Sequence, residues 1–386
     1  MALIRGGKTK MKVLFLPFLQ MPTGHHQVAD ALIRSVKRRD PSIDLKKVDF
    51  LSFVNERIEK IVTTTYLKWI DHSPQTYTWL YRYFVYPSTA SKHFHLYESL
   101  FLSKMLEMLS LESPDLIVCT QAFPSFLISR LKVQGKLNIP VINVYTDFFI
   151  NKLWGLHGID YHFVSDQPLK EELIARGIPA ARIYITGIPV DECFLPKKRP
   201  LKCARPYHLL ISGGNSGLGD IQTFLKALKP SPDFRYSIMC GKNEKLYREI
   251  SSLGLANIKA LPYLSSRQAI DDLYNEADAI ITKPGGVTIS EALIKSLPIF
   301  VHSTLPGQEE VNLRYLESQE LVRVLHPDQP IEEQVAQILS DRQEHARWYN
   351  QVKAYHKRQE VKAWEKILEF MEKQESVYSI KGEERC

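Results

Sequence analysis

One turn of the sequence combines glycine with the start of a helix, a pattern that suits phosphate binding. The segment IITKPGGVTISEAL (280–293) places Gly285 and Gly286 between an apolar run and a helical pattern. Glycine lets the backbone approach a ligand closely, and the free N–H groups of Val287 and Thr288 would face an anion at the helix N-terminus. This turn predicts a diphosphate site, although the two glycines alone could equally form an ordinary tight turn.

A second glycine-rich turn, SGGNSGLGD (212–220), also follows an apolar run. Its Gly213, Gly214 and Asn215 could form another cradle for phosphate. The turn lacks the Gly-Lys-Ser/Thr ending of a Walker loop. Neither this turn nor the first strand carries a clean Gly-x-Gly-x-x-Gly pattern. The sequence therefore disfavours an enzyme that uses a nicotinamide cofactor.

Carboxylates and amides accompany these turns. Glu291 falls about one turn into the helix that begins at Gly286, where a carboxylate could accept both hydroxyls of a ribose. It could also be an ordinary surface residue. The segment LPGQEEVN (305–312) opens another helix with Gln308, Glu309 and Asn312 at the mouth of a strand. Packing alone does not explain a polar cluster at that place.

The first half of the chain offers two candidates for proton transfer. His25 lies in the strand-to-helix turn QMPTGHHQVADAL, and Asp147 follows the strand-like run in VYTDFF. Histidine changes charge near neutral pH, which suits a general base. A single histidine is more often structural or solvated, and Asp147 could be an ordinary helix N-cap.

The elements that must position these residues alternate between apolar strands and helical patterns. KVLFLPF and SPDLIVCTQ are strand-like runs of the first half, and YHLLISGG and LPIFVHS belong to the second. Such alternation is typical of doubly wound parallel sheets. The segment LPKKRPLKCARP interrupts it and is predicted to be a linker.

A chain of 386 residues exceeds what one hydrophobic core usually supports, so two domains are expected. We predict an α/β fold of two Rossmann-like domains that face each other across a cleft, with ligands at the carboxyl ends of both sheets. The predicted bounds are 1–194 for the first domain, 195–206 for the linker, 207–345 for the second domain and 346–386 for a C-terminal helix and tail.

The positive charge is concentrated in the first half of the chain. The net charge is +7; residues 1–200 carry 26 Lys and Arg against 18 Asp and Glu, and the remainder carries 24 against 25. Much of the excess lies in 34–47, which includes Arg38 and Arg39. This stretch is either a solvated helix end or a surface for an anionic partner, nucleic acid or acidic lipid.

A densely aromatic stretch, 76–101, follows the basic one. Trp79, Tyr83 and Phe84 lie close to basic residues there, a combination that favours membrane interfaces. Core packing of a helical insertion is the other interpretation.

Several classes of protein are disfavoured by composition. The five cysteines are scattered without a Cys-x-x-Cys pair, which argues against a zinc site or a disulfide framework and fits a reducing cytoplasm. No apolar run approaches the length of a membrane span, and no signal peptide is expected. The chain contains no Asp-x-Asp motif.

Together, KPGGVTISEAL and LPGQEEVN, preceded by SGGNSG and IMCGKN, resemble the UDP-sugar glycosyltransferases of the GT-B fold. The resemblance is greatest to the processive diacylglycerol glucosyltransferases and monogalactosyldiacylglycerol synthases, and covers roughly residues 11–345. The turn PTGHHQVADAL, VYTDF and ITGIPV resemble first-half segments of the same enzymes. This chain departs from them at Pro22, where a glycine is usual, and at Asn151, where a histidine is frequent.

The resemblance implies a role for each matching residue. His25 would act on the acceptor hydroxyl; Gly241 and Leu264 would approach the uracil through their backbone; Glu291 would bind the ribose. The implied diphosphate contacts are Gly213, Gly214, Asn215, Gly285, Gly286, Val287 and Thr288. The implied contacts to the sugar and its neighbouring loop are Gln308, Glu309 and Asn312.

The implied reaction is an inverting transfer of a hexose from a UDP-sugar to a lipid acceptor such as diacylglycerol. Either His25 or Asp147 would be the base, and neither a metal ion nor another cofactor is expected. The aromatic and basic residues Trp79, Tyr83, Phe84, Arg38 and Arg39 would then face an anionic membrane and the acceptor. This location would be peripheral, on the cytoplasmic face of the cell membrane.

Two other functions remain open on the sequence alone. One is an enzyme like UDP-N-acetylglucosamine 2-epimerase, and the other is a non-catalytic regulator that binds a UDP-sugar. Only the basic stretch supports a nucleic-acid binder, and no nucleic-acid-binding motif accompanies it.

Overall fold

The structure, a computed structural model of the chain, describes residues 10–18, 23–54, 92–196, 205–213, 228, 231–304 and 307–383. For 92–99 and 375–383 it describes the backbone only. The strands are β1 (Lys12–Leu16), β2 (Asp44–Lys47), β3 (Leu116–Cys119), β4 (Val141–Val144), β5 (Tyr161–Val164), β6 (Ile183–Ile185), β7 (Tyr207–Ser212), β8 (Phe234–Met239), β9 (Ile258–Leu261), β10 (Ala279–Thr282), β11 (Ile299–Val301) and β12 (Arg323–Val324).

The α-helices lie between and after these strands. They are α1 (Gly24–Arg39), α2 (Phe50–Val54), α3 (Lys92–Glu112), α4 (Ala122–Val133), α5 (Gln167–Ala175), α6 (Glu244–Ser252), α7 (Arg267–Glu276), α8 (Gly286–Ile294), α9 (Gln308–Ser318), α10 (Ile331–Ser340), α11 (Arg342–Lys357) and α12 (Ala363–Glu383). No helix in these described ranges is long and apolar enough to cross a bilayer.

The strands form two separate parallel sheets, as the sequence predicts. The first has the order β2-β1-β3-β4-β5-β6 and the second the order β12-β11-β10-β7-β8-β9. Successive residues of a strand point to opposite faces, and β1 buries Val13 and Phe15 in one core cluster and Leu14 and Leu16 in another. The prediction of two Rossmann-like domains is therefore confirmed.

Each sheet reverses its strand order at one point. The reversal lies between β1 and β3 in the first sheet and between β7 and β10 in the second. Loops that leave adjacent strands in opposite directions open a crevice at the carboxyl ends, which is where such sheets bind ligands. His25 follows β1, and the two glycine turns follow β7 and β10, so all three lie at these reversals.

The two domains are packed against each other and share one hydrophobic core. That core joins Phe15 and Val28 of the first domain to Leu210, Ile280 and Val287 of the second. Two further clusters fill the outer faces of the two sheets. The shared core holds the carboxyl ends of the sheets in a fixed relation.

The end of the chain returns to the first domain. Helix α11 runs through the predicted boundary at residues 345 and 346, and α12 packs against α1. Phe370 stacks on Tyr161 with ring centroids 3.8 Å apart, and the Glu360 carboxylate accepts a bond from the Ile185 N–H. The segment 346–386, predicted as a C-terminal helix and tail, thus contains the end of α11 and all of α12, and Asp341 caps the N-terminus of α11.

A buried carboxylate is central to this return. Asp166 is fully buried and accepts two hydrogen bonds from Arg358, at 2.6 and 2.7 Å, and one from the Tyr315 hydroxyl. Arg358 follows α11 and Tyr315 lies on α9, whereas Asp166 precedes α5. One first-domain carboxylate therefore holds two segments from the other side of the cleft.

Replacing Arg358 with alanine should lower the free energy of unfolding by about 3 kcal/mol, because it leaves the Asp166 charge buried without its cation. Urea unfolding followed by circular dichroism measures this change. Arg347→Ala is a matched control, since Arg347 pairs with Glu320 on the surface and should change stability far less. Equal stability losses in the two variants would contradict the assignment.

Candidate functional site

The two glycine-rich segments begin at neighbouring strand ends. Strands β7 and β10 pair so that Ser212 lies beside Thr282, which brings Gly213 next to the Lys283-Pro284-Gly285 turn. Gly214 and Asn215 lie outside the described residues, so their phosphate contacts stay predictions. A glycine turn at the reversal of the second sheet, here Lys283-Pro284-Gly285, is the arrangement expected for a phosphate site.

Helix α8 begins at the second turn with its N-terminus facing the cleft. None of the described residues lies within 4 Å of where a Gly285 Cβ would be, whereas a Cβ on Gly286 would collide with the carbonyl oxygen of Thr146. By position in the helix, the N–H groups of Gly286, Val287 and Thr288 lack a partner one turn before them. The missing side chain at Gly285 therefore leaves room for a ligand. The missing side chain at Gly286 allows the first-domain backbone at Thr146 to pack against α8.

A cavity of about 230 Å³ lies beside α8, between the two domains. The second domain contributes residues that the sequence assigns to a nucleotide: Gly241, Leu264, Thr288 and Glu291. The first domain contributes residues of α1, among them Gln27, Asp30 and Arg34. The structure thus places the predicted uracil and ribose contacts and one predicted phosphate contact, Thr288, around one cavity. The other described phosphate candidates, Gly213, Gly285, Gly286 and Val287, do not line it.

Glu291 is a buried carboxylate, and the interpretation as a surface residue is wrong. It is 3% exposed, forms an ion pair with Arg267 and accepts a hydrogen bond from the Tyr274 hydroxyl at 3.2 Å. Burial raises the pKa of Glu291, and the Arg267 charge opposes that shift. Arg267 in turn lies 4.9 Å over the Phe194 ring.

Asp147 connects the domains. Its carboxylate accepts hydrogen bonds from Gln308 Nε2 at 2.6 Å and from Asn312 Nδ2 at 3.0 Å. The Asn312 side-chain oxygen accepts a further bond from the Phe148 N–H at 2.9 Å. Asn312 is 1% exposed, so in this arrangement it holds the Asp147 loop and presents no free edge to a sugar.

Gln308 and Glu309 lie in the first turn of α9 and are partly exposed. Both remain at the mouth of the second sheet, as the sequence predicts. Their contact with a sugar stays a prediction, and Gln308 would have to share its amide between the sugar and Asp147. The structure thus assigns Asp147 a bridging position that the sequence did not suggest.

His25 lies close to this bridge. Its Nδ1 is 2.7 Å from the Thr146 hydroxyl, and its ring is enclosed on most sides. Burial lowers the pKa of His25, while the Asp147 charge and the Thr120 backbone raise it and His26 lowers it further. The net direction is downward, so the imidazole is neutral near pH 7 and can accept a proton.

The residues predicted to face a membrane are not all at this site. Arg38 and Arg39 lie at the opposite end of α1 from His25, and both pair with Glu192. Arg39 also stacks on Trp364, with 3.3 Å between its guanidinium carbon and the ring centroid. Trp79, Tyr83 and Phe84 lie outside the described residues, so the membrane role of all five stays a prediction.

Sequence reasoning missed residues that act only through the fold. Arg267 and Tyr274 come from α7, which carries no motif, and only their pairing with Glu291 gives them a role. The sequence did contain a signal for Thr146, because this residue adjoins the candidate base Asp147 in VYTDF. Arg34 was seen as part of the basic stretch, with no indication that it lines the cavity.

Comparison with known proteins places both halves of the chain among glycosyltransferases. The monogalactosyldiacylglycerol (MGDG) synthase profile matches residues 25–190, and the profile of glycosyl transferases group 1 matches 219–355. The chain is 44% identical to an uncharacterized glycosyltransferase, YkoN, of Bacillus subtilis over 312 residues, which cover 80% of this chain and 83% of the relative. It is 30% identical to the processive diacylglycerol beta-glucosyltransferase of Bacillus cereus, over 82% of this chain and 83% of the relative.

Solved structures support the fold alone, at low identity. MurG of Acinetobacter baumannii has a TM-score of 0.57 at 14% identity, covering 94% of this chain and 99% of that one. The UDP-GlcNAc 2-epimerase of Neisseria meningitidis, bound to UDP-GlcNAc, has a TM-score of 0.55 at 16% identity, covering 94% and 100%. The described sheets and these neighbours confirm the predicted GT-B architecture.

Replacing Asp147 with asparagine should lower the pKa of His25, because the neutral amide no longer favours the imidazolium. An NMR titration of the His25 ring measures this shift. Asp30→Asn is a suitable control, since Asp30 lies on the same helix and pairs with Lys47. An unchanged or raised pKa in Asp147→Asn would show that the carboxylate does not act on His25.

Proposed function

This chain belongs to the diacylglycerol glycosyltransferase family, and on that premise we propose that it transfers a hexose from a UDP-sugar to diacylglycerol or a related lipid, with inversion. The family makes it a glycosyltransferase that moves a hexose. The donor nucleotide, the acceptor and the stereochemistry belong to the proposal. The relatives named for diacylglycerol support the choice of acceptor.

One observation carries the proposal: the candidate base and the phosphate-binding helix start meet across the domain boundary. A Cβ on Gly24, adjacent to His25, would lie 3.2 Å from the Val287 side chain at the start of α8. An acceptor hydroxyl at His25 would therefore lie close to a sugar whose diphosphate is bound by α8. Proximity of this kind can supply a large share of the rate acceleration.

The base in this mechanism is His25. Its neutral imidazole takes the proton of the acceptor hydroxyl as the new glycosidic bond forms on the face opposite the leaving UDP. Asp147, also considered as the base, accepts bonds from two second-domain amides. It therefore suits the task of orienting the loop and stabilising the imidazolium that forms.

The leaving UDP gains negative charge in the transition state. The N–H groups at the start of α8 are fixed dipoles aimed at that charge, which is the kind of stabilisation that requires no reorganisation during reaction. We propose that they act without a metal ion. Glu291, anchored by Arg267 and Tyr274, would accept the ribose hydroxyls and position the nucleotide.

An apolar surface beside His25 supports a lipid acceptor. Phe18 and Phe123 lie with ring centroids 4.9 Å apart, and Phe101 packs edge-on against Phe123 at 5.4 Å. All three rings are partly exposed and lie near the carboxyl ends of β1 and β3, where His25 also lies. Acyl chains resting on these rings would leave the lipid hydroxyl free to reach the base.

The proposed location is peripheral, on the cytoplasmic face of the membrane. The basic stretch 34–47 contributes little to membrane binding, because Arg34, Lys46 and Lys47 each pair with an acidic side chain. Any electrostatic attraction of this stretch to anionic lipid is reduced accordingly. Membrane contact in this proposal therefore depends mainly on the aromatic stretch 76–101.

The alternatives fit less well. Likeness to the 2-epimerase is limited to the fold at 16% identity, whereas the relatives at 30% and 44% identity are named glycosyltransferases. Membership in an enzyme family also argues against a regulator that binds a UDP-sugar without turnover. No motif in the sequence favours nucleic acid over a nucleotide sugar, and the described lining of the cavity combines Arg34 and Arg267 with Asp30 and Glu291.

Replacing His25 with alanine or asparagine should lower turnover about 100-fold or more and leave UDP affinity nearly unchanged, because only the base is lost. Asparagine can keep a bond to Thr146 without accepting the proton. The wild-type rate should fall on the acid side below pH 6.5, where the imidazole with its lowered pKa becomes charged. Normal turnover in His25→Asn would exclude His25 as the base.

The donor and acceptor are tested by measuring UDP release from UDP-glucose, UDP-galactose and UDP-N-acetylglucosamine. Each donor is supplied with vesicles that contain or lack diacylglycerol, and mass spectrometry identifies the lipid product. We expect UDP release that depends on diacylglycerol, and flotation of the protein with anionic vesicles. UDP release that does not depend on diacylglycerol would contradict the proposed acceptor. A protein that does not float with anionic vesicles would contradict the proposed membrane location.

A further inference from the structure

The cavity beside α8 has a wall that the first domain supplies. Gln27, Asp30 and Arg34 are spaced three and four residues apart and therefore share one face of α1, and all three line the cavity. The opposite side of the same helix carries Val28, Leu32 and Val36 in the shared core. Helix α1 thus presents a polar face to the space that Leu264 and Glu291 close from the second domain.

The volume of this cavity is suited to the nucleoside part of a nucleotide. The cavity holds about 230 Å³ and is open on one side; this volume is comparable to the bulk of a nucleoside, and the remainder of a nucleotide sugar would extend beyond it. Ser212, at the end of β7, and Thr288, in the first turn of α8, line it, and the diphosphate would leave the cavity there. A nucleoside in the cavity would therefore lie between the two domains.

Arg34 is the residue of the α1 wall best able to bind such a ligand. Its Nε donates to the buried Asp191 carboxylate at 2.5 Å, and its side chain is 45% exposed. Among the described residues this bond fixes one edge of the guanidinium, and the two terminal nitrogens remain available as donors. The Arg34 guanidinium is thus oriented before a ligand binds.

The charge balance around Arg34 suits a neutral oxygen acceptor. Asp191 offsets the guanidinium charge, and its other oxygen accepts a bond from the Cys193 N–H at 3.0 Å. A guanidinium that is already paired with a carboxylate attracts a further anion less strongly and still donates hydrogen bonds. The carbonyl oxygens of a pyrimidine base and the oxygens of a ribose are such acceptors.

We propose that Arg34 of the first domain hydrogen-bonds the nucleoside half of the donor, so that donor affinity is determined by both domains. This inference rests on the proposed function, which places the nucleotide at Glu291 and α8. It assigns to Arg34 a role that its place in the basic stretch 34–47 did not indicate.

The structure offers a matched control for Arg34. Arg38 lies one turn further along α1 and pairs with Glu192, the residue after Asp191, with 3.0 Å between Arg38 Nη1 and the carboxylate. Both arginines are therefore exposed, ion-paired to the same segment and carried by the same helix. Of these two arginines, Arg34 lines the cavity and Arg38 does not.

The test compares Arg34→Met, Arg38→Met and Glu291→Gln in the full-length protein by calorimetric titration with UDP and UMP. We expect Arg34→Met to weaken both ligands by roughly tenfold, the effect of one lost hydrogen bond to a charged group. Arg38→Met should remain within about twofold of the wild type. In turnover assays Arg34→Met should raise KM for the donor and leave kcat nearly unchanged.

Each outcome decides between the claims. Equal affinities for Arg34→Met and Arg38→Met, while Glu291→Gln weakens UDP, would overturn the role of Arg34 and leave the proposed function intact. A loss that disappears when UMP replaces UDP would show that Arg34 serves the β-phosphate, which also overturns the inference. Wild-type protein that binds neither ligand would overturn both proposals. Thermal unfolding within about 2 °C of the wild type shows that Arg34→Met is folded.

Discussion

The whole site depends on one short backbone segment, residues 146–148, which touches both domains at once. The Thr146 carbonyl lies against Gly286, where any side chain would collide, and the Thr146 hydroxyl bonds to His25. The next residue, Asp147, holds two amides of α9, and Phe148 stacks on Tyr315 with ring centroids 5.4 Å apart. The candidate base and the helix start proposed to bind phosphate are thus positioned by a single loop, so a displacement of that loop would disturb both.

Buried charges reinforce this arrangement, each in a pair. Glu291 is paired with Arg267, and Lys295 with Asp271 at 2.5 Å, both inside the second domain. Asp166 with Arg358 joins the domains. Buried pairs of this kind contribute little net stability, since desolvation offsets the attraction, but a misplaced partner is strongly unfavourable. They therefore select one arrangement of the helices around the cavity beside α8.

The sequence predicted the elements that local rules define. Every apolar run assigned to a strand is a strand, because buried parallel strands are short and apolar throughout. Strand β12 escaped prediction because Arg323 and Val324 are two residues with no local pattern. The glycine turns and His25 were found because their chemistry requires particular residue types at chain reversals.

The bridging role of Asp147, the anchoring of Glu291 by Arg267 and the pairing of Arg38 with Glu192 were not predictable. Each joins residues far apart in the sequence. The cavity wall on α1 was not predictable for the same reason, because a polar helix face has the same sequence pattern whether it contacts water or another domain. The glycine signals are local, whereas the partners of these charged residues are set by the packing of whole helices.

The return of the chain to the first domain has a mechanical consequence. Domains joined by one peptide can twist and tilt about any direction, whereas these are joined at 186–206 and again at 358–362. Two covalent crossings define a line, and rotation about that line is the separation of the lobes that strains neither crossing. Because Phe370 and Glu360 fasten the second crossing to the first lobe, any opening of the shared core to admit reactants would follow this rotation, with little sideways shear.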